Sequence, residues 1–184
     1  MKIRSVTDEN LAKAVALVRA SFPDREYEAQ LVQKLHEHGK SIHEWVCIHT
    51  NKVIAYVAFS NAYQGEEVCG LHLGPVAVNP EFQQQGVGSE LLRYALAQET
   101  IKSRTIYALG NPGFYQRFGF SPCPMPICPF DKNNAHFSGL RNTATTQFTV
   151  GYEPEFMPQS PQRQRAKKRG GSGHGKKCSS STPR

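Results

Sequence analysis

The sequence predicts a mixed α/β domain with one β-sheet and a helix that crosses over between two central strands. Runs rich in apolar and β-branched residues at 53–60 and 68–78 are typical of strands. After residue 86 the apolar residues recur at helical spacing, at Val87, Leu91, Leu92, Ala95 and Leu96. Another apolar run at 105–109 predicts the next strand. Strand, helix and strand in this order indicate a crossover, and 184 residues suffice for one domain with a real core.

The N-terminal part predicts two helices between a first strand and a hairpin. Thr7 can cap the first helix, and Asp8 and Glu9 then lie in its first turn, where the helix dipole favours acidic side chains. In chain order we expect a strand at 2–6, a helix interrupted at 22–24, a second helix ending near residue 39, and hairpin strands at 45–49 and 53–60.

The C-terminal part predicts a short helix, a loop and two closing strands. Asn111 can cap the short helix at 112–118, because a proline follows at the first helical position. The segment 121–134 is rich in proline, which predicts a loop. Runs at 135–140 and 145–152 predict the closing strands.

The composition changes after residue 156. Residues 157–184 hold eight of the 22 Lys and Arg residues and no acid, so residues 1–156 carry 14 basic against 15 acidic residues and are nearly neutral. We expect a folded domain at 1–156 and a disordered basic tail at 157–184, which has too little apolar area to offset the entropy of ordering. The run at 163–169 could contact nucleic acid or ribosomal RNA through phosphate charge. No base-reading module or stacking aromatic accompanies it, which favours a solvated extension.

Membrane insertion, secretion and metal binding are not expected. No run approaches the roughly 18 apolar residues of a membrane span, and the charged start has no apolar signal core, so we expect a cytoplasmic protein. Five cysteines, an odd number, argue against a disulfide framework. No Cys or His pair at ligand spacing stands near Cys123 and Cys128, so we expect buried, reduced thiols and no metal.

A glycine-containing loop leads from the strand at 68–78 into the following helix. The first N–H groups of a helix have no internal partner, so Gly86 and Gly88 mark a potential phosphate site. The nucleotide P-loop requires Gly-Lys-Ser/Thr, whereas Ser89-Glu90 follows Gly88 here. The dinucleotide fingerprint requires a third glycine where this chain has Leu91. Both of these phosphate motifs are therefore excluded.

A third phosphate motif matches. Gln83-x-x-Gly86-x-Gly88, after Pro-Val-Ala-Val-Asn-Pro, resembles the pyrophosphate loop of the GNAT superfamily of acyl-CoA N-acyltransferases. The later block Gly-Asn-Pro-x-Phe-Tyr-x-x-Phe-Gly-Phe, at 110–120, is most similar to a bacterial subgroup called YhbS-like. The resemblance implies a GNAT fold with a splayed central strand pair. It also implies transfer of an acetyl group from acetyl-CoA to a primary amine by direct attack.

Pro75 independently predicts a defect in the strand at 68–78, because proline removes a ladder hydrogen bond and usually marks a bulge. In the family such a splay holds the pantetheine arm, with one strand N–H acting as an oxyanion donor. The acyl-CoA contacts that the resemblance implies are Val76, Ala77, Val78, Gln83, Gln84, Gln85, Gly86, Val87, Gly88, Ser89 and Asn111.

The resemblance also implies that Tyr115 protonates the departing thiolate. A tyrosine of ordinary pKa, about 10, is reasonably matched to a thiol of pKa about 8.5. Tyr115 also lies among aromatic residues, so a role in the core is an alternative. His72, Glu66, Glu67 or water could accept the proton of the amine. The acceptor stays open among polyamine, amino acid, antibiotic and protein amines.

Two other functional hypotheses remain. The fold could be a non-catalytic module that binds or senses acyl-CoA. It could instead be an acetyltransferase associated with RNA or the ribosome through its basic tail.

Overall fold

The computed structural model describes residues 1–157, so the predicted tail beyond Met157 lies outside the described residues. Its strands are β1 (Lys2–Ser5), β2 (Ile42–His49), β3 (Lys52–Gln64), β4 (Glu67–Val78), β5 (Ile106–Leu109), β6 (Ser121–Pro122) and β7 (Phe137–Leu140). They form one seven-stranded sheet in the spatial order β1-β2-β3-β4-β5-β7-β6. Only β4 and β5 run parallel among these neighbouring pairs. The mixed sheet confirms the predicted α/β class.

Four helices cover the two faces of the sheet: α1 (Asp8–Ser21), α2 (Tyr27–Glu37), α3 (Val87–Leu96) and α4 (Pro112–Gln116). Alternate residues of β3 face opposite layers, as the pleat requires. Val57 and Phe59 pack in the cluster that includes α3, whereas Tyr56 and Ala58 pack in the cluster that includes α1 and α2. Among these described helices, none is both long and apolar enough to cross a bilayer.

The crossover helix α3 connects the two parallel strands, as the sequence predicts. Its buried face includes Val87, Leu91, Leu92 and Ala95, four of the five positions read from the helical spacing. The capping prediction for α4 is also confirmed, because the Asn111 side chain accepts a hydrogen bond of 2.9 Å from the Gly113 N–H.

The parallel strands separate halfway along their length. Pairing between β4 and β5 begins at Leu71 and ends at Leu73, which lies opposite Ala108. Gly74 and Pro75 of β4 then face the single residue Ala58 of β3, so a β-bulge occurs at the predicted proline. Beyond the bulge β4 continues to Val78 beside β3, while β5 continues beside β7. The splayed central pair is therefore confirmed.

The prediction of a strand at 145–152 is wrong. Within residues 1–157, this segment forms two isolated bridges, one from Gly151 to Tyr63 of β3 and one from Thr149 to Ile127 in the loop at 121–134. It forms no ladder because β7 already covers the free edge of β5, and β6 covers β7. The segment instead crosses the end of the sheet beside β3 and β4. The predicted loop at 121–134 is confirmed, apart from the two-residue strand β6 and a short 3-10 helix at Lys132–Asn134.

Candidate active site

A row of unpaired backbone N–H groups precedes the first turn of α3. Within the described residues, the N–H groups of residues 84–89 have no hydrogen-bond acceptor. Glu90 is the first to be paired, at 2.9 Å from the Gly86 carbonyl. The loop depends on positive φ at Gln84 (59°) and Gly86 (82°). Successive free N–H groups at the positive end of a helix dipole form an anion site.

The two glycines of this loop serve different purposes. A Cβ added to Gly86 would meet no atom within 4 Å, so its side faces open space and its positive φ favours glycine. A Cβ added to Gly88 would lie 2.9 Å from Cγ2 of Val78. Gly88 is therefore required for the close approach of α3 to β4, a packing role that the phosphate motif alone did not reveal.

Val76 directs its backbone into the opening between β4 and β5. The Asn79 N–H bonds to the Ile54 carbonyl of β3, and N–H direction alternates along a strand. Ala77 therefore points to β3, whereas Val76 and Val78 point away from it. The Val78 carbonyl already accepts bonds from the Ser21 hydroxyl (3.1 Å) and the Gln83 side-chain amide (3.0 Å). Val76 therefore turns both its N–H and its carbonyl towards the opening, whereas Val78 has only its N–H available there.

Two cavities meet at Tyr115. The first, of about 410 Å³, extends from the α3 loop and is lined by Val78, Gln83, Gly88 and Asn111 among others. The second, of about 660 Å³, lies over the splay and is lined by Gly74, Pro75 and His72 among others. Phe22, Val76 and Tyr115 line both. The cavity at the α3 loop and the cavity over the separated strands are therefore neighbours, with these three residues in the walls of both.

Tyr115 is held at this junction by aromatic packing. Its side chain is buried against the rings of Phe114 (5.2 Å between centroids) and Phe120 (5.5 Å). Burial raises its pKa to about 12, so the phenol stays protonated at neutral pH. A Cβ on Gly110 would lie 3.2 Å from the Tyr115 ring, so that glycine provides the space the ring occupies. Tyr115 therefore packs in the hydrophobic core and also lines both cavities.

His72 lies in the wall of the larger cavity and is almost fully buried. Its Nε2 lies 3.0 Å from the Gly151 carbonyl, so Nε2 carries the proton and Nδ1 remains an acceptor. The ring stacks on Tyr152 with centroids 3.5 Å apart. Burial lowers the pKa of His72 to about 4, and the bond to Gly151 opposes this only in part. Glu66 and Glu67, the other predicted bases, are exposed near the far end of β4 and do not line this cavity.

Sequence reasoning missed most of the larger cavity. Its far wall comes from Arg25 and Glu28 at the start of α2, and from Tyr152 and Phe156 near the end of the described chain. The Tyr27 hydroxyl joins these two walls by donating to the Phe156 carbonyl at 2.7 Å. No local motif marks these residues, because they meet only through the tertiary fold.

Gln85, another of the predicted acyl-CoA contacts, forms a hydrogen bond within the loop itself. The side-chain amide of Gln85 donates to the Glu81 carbonyl at 2.8 Å, which braces the loop.

None of the cysteines in the described part of the chain lines either cavity, and burial raises the pKa of Cys123 to about 11. Within residues 1–157, no group of three or more His, Cys, Asp and Glu side chains is arranged to hold a metal ion.

Known proteins share this sequence pattern. Residues 40–122 match the family described as "Acetyltransferase (GNAT) domain". The uncharacterized N-acetyltransferase YjhQ of Escherichia coli K12 is 30% identical over 124 residues, which cover 64% of this chain and 68% of that protein. The uncharacterized N-acetyltransferase YhbS of the same strain is 35% identical over 108 residues, which cover 57% of this chain and 64% of that protein.

Solved structures share the fold. YhbS from Escherichia coli, in complex with CoA, has a TM-score of 0.77 and 27% identity, covering 84% of this chain and 91% of that one. A GNAT family acetyltransferase from Brucella melitensis, in complex with acetyl-CoA, has a TM-score of 0.72 and 27% identity, covering 85% of this chain and 97% of that one. With the splayed strands and the free amides of the α3 loop, these matches establish that the chain belongs to the GNAT family of acetyltransferases.

Proposed function

We propose that this protein transfers an acetyl group from acetyl-CoA to the primary amine of an acceptor, by direct attack of the amine on the thioester. The observation that carries the proposal is the position of Tyr115 in the walls of both cavities. A donor held in the smaller cavity and an acceptor held in the larger one would meet beside this phenol.

The smaller cavity and the adjoining loop fit the donor. The free N–H groups of residues 84–89 suit the pyrophosphate of acetyl-CoA, since main-chain donors at a helix N-terminus bind phosphate oxygens. The Val76 backbone, which lacks a partner strand on the β5 side, suits the pantetheine amide and the thioester carbonyl. Such an N–H donor to an oxyanion is worth about 3 kcal/mol in the transition state. Asn111 lines the same cavity and is proposed to contact the donor as well as cap α4.

In the proposed reaction a new bond forms between the amine nitrogen and the acetyl carbon, and the bond from that carbon to sulfur breaks. The electron pair of the broken bond leaves on sulfur, and the amine loses one proton. Tyr115 is well suited to donate a hydrogen bond to the departing sulfur, because its raised pKa keeps it protonated. No cysteine acyl-enzyme is needed.

His72 is the best placed of the predicted proton acceptors. Nδ1 is its available acceptor atom, because Nε2 is engaged by Gly151. A pKa of about 4 makes the imidazole a weak base, so it would pass the proton to water rather than retain it. Water alone remains the alternative.

Acetyl-CoA binding and turnover test the proposal separately. Isothermal titration should show acetyl-CoA binding, and a thiol assay across primary amines should show CoA release that depends on the amine. No binding at high micromolar acetyl-CoA would overturn the proposal. Binding without CoA release for every amine would instead favour the non-catalytic acyl-CoA module.

A further inference from the structure

We infer that the acceptor is a primary amine with a single positive charge and an apolar, preferably aromatic, body, and that Glu28 binds its ammonium group on entry, before the nitrogen loses a proton to solvent and attacks the thioester. The inference rests on the proposed function and concerns the larger of the two cavities. It assigns a specificity-determining residue in the first turn of α2, within the lining of this cavity.

The lining of the cavity is mainly apolar and rich in aromatic residues. Seven of its lining side chains are aromatic, including Tyr107, Phe130, Tyr152 and Phe156. These rings form a connected group, with Phe130 and Tyr152 at 4.8 Å and Tyr152 and Phe156 at 5.2 Å between centroids. Aromatic faces attract organic cations and also bury apolar groups. A cavity of about 660 Å³ is large enough for one small organic molecule.

Glu28 is the one acidic residue in this lining, among the described residues. Its side chain is only 14% exposed, and its Oε1 lies 3.3 Å from a guanidinium nitrogen of Arg25. Its Oε2 is buried with no hydrogen-bond partner within residues 1–157. A buried carboxylate oxygen without a donor is unfavourable, so an ammonium group from the cavity would stabilise it. Glu28 lines the cavity, and the terminal torsion of a glutamate is broad, so rotation about it can bring a carboxylate oxygen towards a bound ammonium group.

The charges around the cavity disfavour other acceptor classes. A polyamine or an aminoglycoside would bring further positive charges, and no second carboxylate lines the cavity to meet them. A free amino acid would bring a carboxylate, and the lining guanidinium, that of Arg25, is already paired with Glu28 and is 66% exposed. His72 is neutral at pH 7, since burial lowers its pKa to about 4. One carboxylate beside many rings matches one ammonium on an apolar body.

The test compares amines of different charge with variants of the full chain. We expect phenethylamine to give a kcat/KM at least about tenfold above those of spermidine, phenylalanine and kanamycin. Glu28→Gln should raise the KM for phenethylamine about tenfold or more, as expected for a lost hydrogen bond to a charged group. The affinity for acetyl-CoA, measured by titration, should not change.

Two control variants separate recognition from folding. Glu9 holds the same first-turn position in α1 that Glu28 holds in α2, but its side chain is exposed, so Glu9→Gln should leave KM unchanged. Arg25→Gln removes the ion pair but keeps the carboxylate, and it should not raise the KM for phenethylamine. Equal losses in Arg25→Gln and Glu28→Gln would mean that the ion pair only supports α2, which would overturn the inference.

The outcomes also separate this inference from the proposed function. Preference for a polyamine, an amino acid or an aminoglycoside, with CoA released, would overturn the inference and leave the acetyltransferase proposal intact. Binding of acetyl-CoA without CoA release for any amine would overturn both.

Discussion

Burial controls the chemistry available to Tyr115. Its raised pKa, about 12, follows from removal of the phenol from water by the surrounding rings. Complete proton transfer to a thiolate becomes less favourable than at the ordinary pKa of about 10, while hydrogen-bond donation to developing charge on sulfur persists. We therefore propose that Tyr115 acts mainly by stabilising the leaving group.

The change Tyr115→Phe keeps the buried ring and removes only this donor. We expect kcat to fall about 100-fold, with little change in acetyl-CoA affinity. Tyr94→Phe, which removes a hydroxyl from the exposed side of α3, is the matched control and should have wild-type kinetics. Steady-state assays of CoA release measure both. Unchanged kcat in Tyr115→Phe would remove Tyr115 from the mechanism.

A change at Gly86 is expected to affect acetyl-CoA binding rather than the chemical step. Gly86→Val would place a branched side chain in the open space beside the free amides, so we expect acetyl-CoA affinity to fall at least tenfold by titration. Gly65→Val, in the turn between β3 and β4, also has a positive φ (62°) and open space. Both changes should lower stability similarly, by about 1–2 kcal/mol. Equal loss of affinity in both variants would show that strain, rather than the phosphate site, is responsible.

At the scale of elements, the position of α3 depends on its contact with β4. The helix can bring its first turn against the strand only because residue 88 has no side chain. This contact places the free amides of residues 84–89 beside the edge of β4 that β5 has left. The absence of a side chain at Gly88 therefore allows the predicted phosphate loop to lie close to the splayed strands.

Gly88→Ala should destabilise the protein by about 1–3 kcal/mol, because its Cβ would clash with Val78 Cγ2. In a Val78→Ala background the clash is absent, and the same change should be neutral or stabilising by up to about 1 kcal/mol, the helix propensity difference. Urea unfolding of the four proteins gives this double-mutant cycle. The same cost in both backgrounds would contradict the proposed contact.

At the scale of the whole molecule, the end of the described chain completes the larger cavity. The segment is held to β3 by the Tyr63 hydroxyl, 2.6 Å from a Glu153 oxygen. It is held to the region of α2 by Lys40, 3.1 Å from the other oxygen of Glu153, and by His38, 2.7 Å from Glu155. It also buries His72 beneath Tyr152. The segment that completes the cavity therefore also contributes to the burial that lowers the pKa of His72.

This burial predicts a pH-dependent stability. The folded state keeps His72 neutral down to a pKa of about 4, whereas the unfolded chain binds a proton near pH 6.5. The unfolded state thus binds more protons between these values, so stability is lost as pH falls through this window, by about 3 kcal/mol in total. Above pH 6.5 the contribution is constant.

His72→Gln can still donate to Gly151 but does not titrate. We expect its free energy of unfolding to fall less than that of the wild type between pH 7 and pH 4, as measured by urea unfolding at each pH. The exposed change His49→Gln should keep the wild-type pH dependence. Identical pH profiles for His72→Gln and the wild type would contradict this assignment.

The sequence by itself determined the features that depend on neighbouring residues. The α3 loop, the Asn111 cap and the strand–helix–strand order follow from helical period, glycine placement and proline, which act over a few residues. Pro75 likewise marks the point where β4 and β5 part. These local signals were enough for the class of fold, and they also supplied the residues that we propose bind the donor.

Only the tertiary structure decided the larger cavity, which we propose holds the acceptor. Glu28, His72 and Tyr152 are far apart in the chain, and no spacing or motif relates them. They meet because α2, β4 and the segment at 151–156 line the same cavity. The wrong prediction of a strand at 145–152 has a similar cause. Its apolar pattern is compatible with strand pairing, but β7 and β6 already occupy the side of the sheet next to β5. Local sequence sets what a segment can form, and competition among distant segments decides what it contacts.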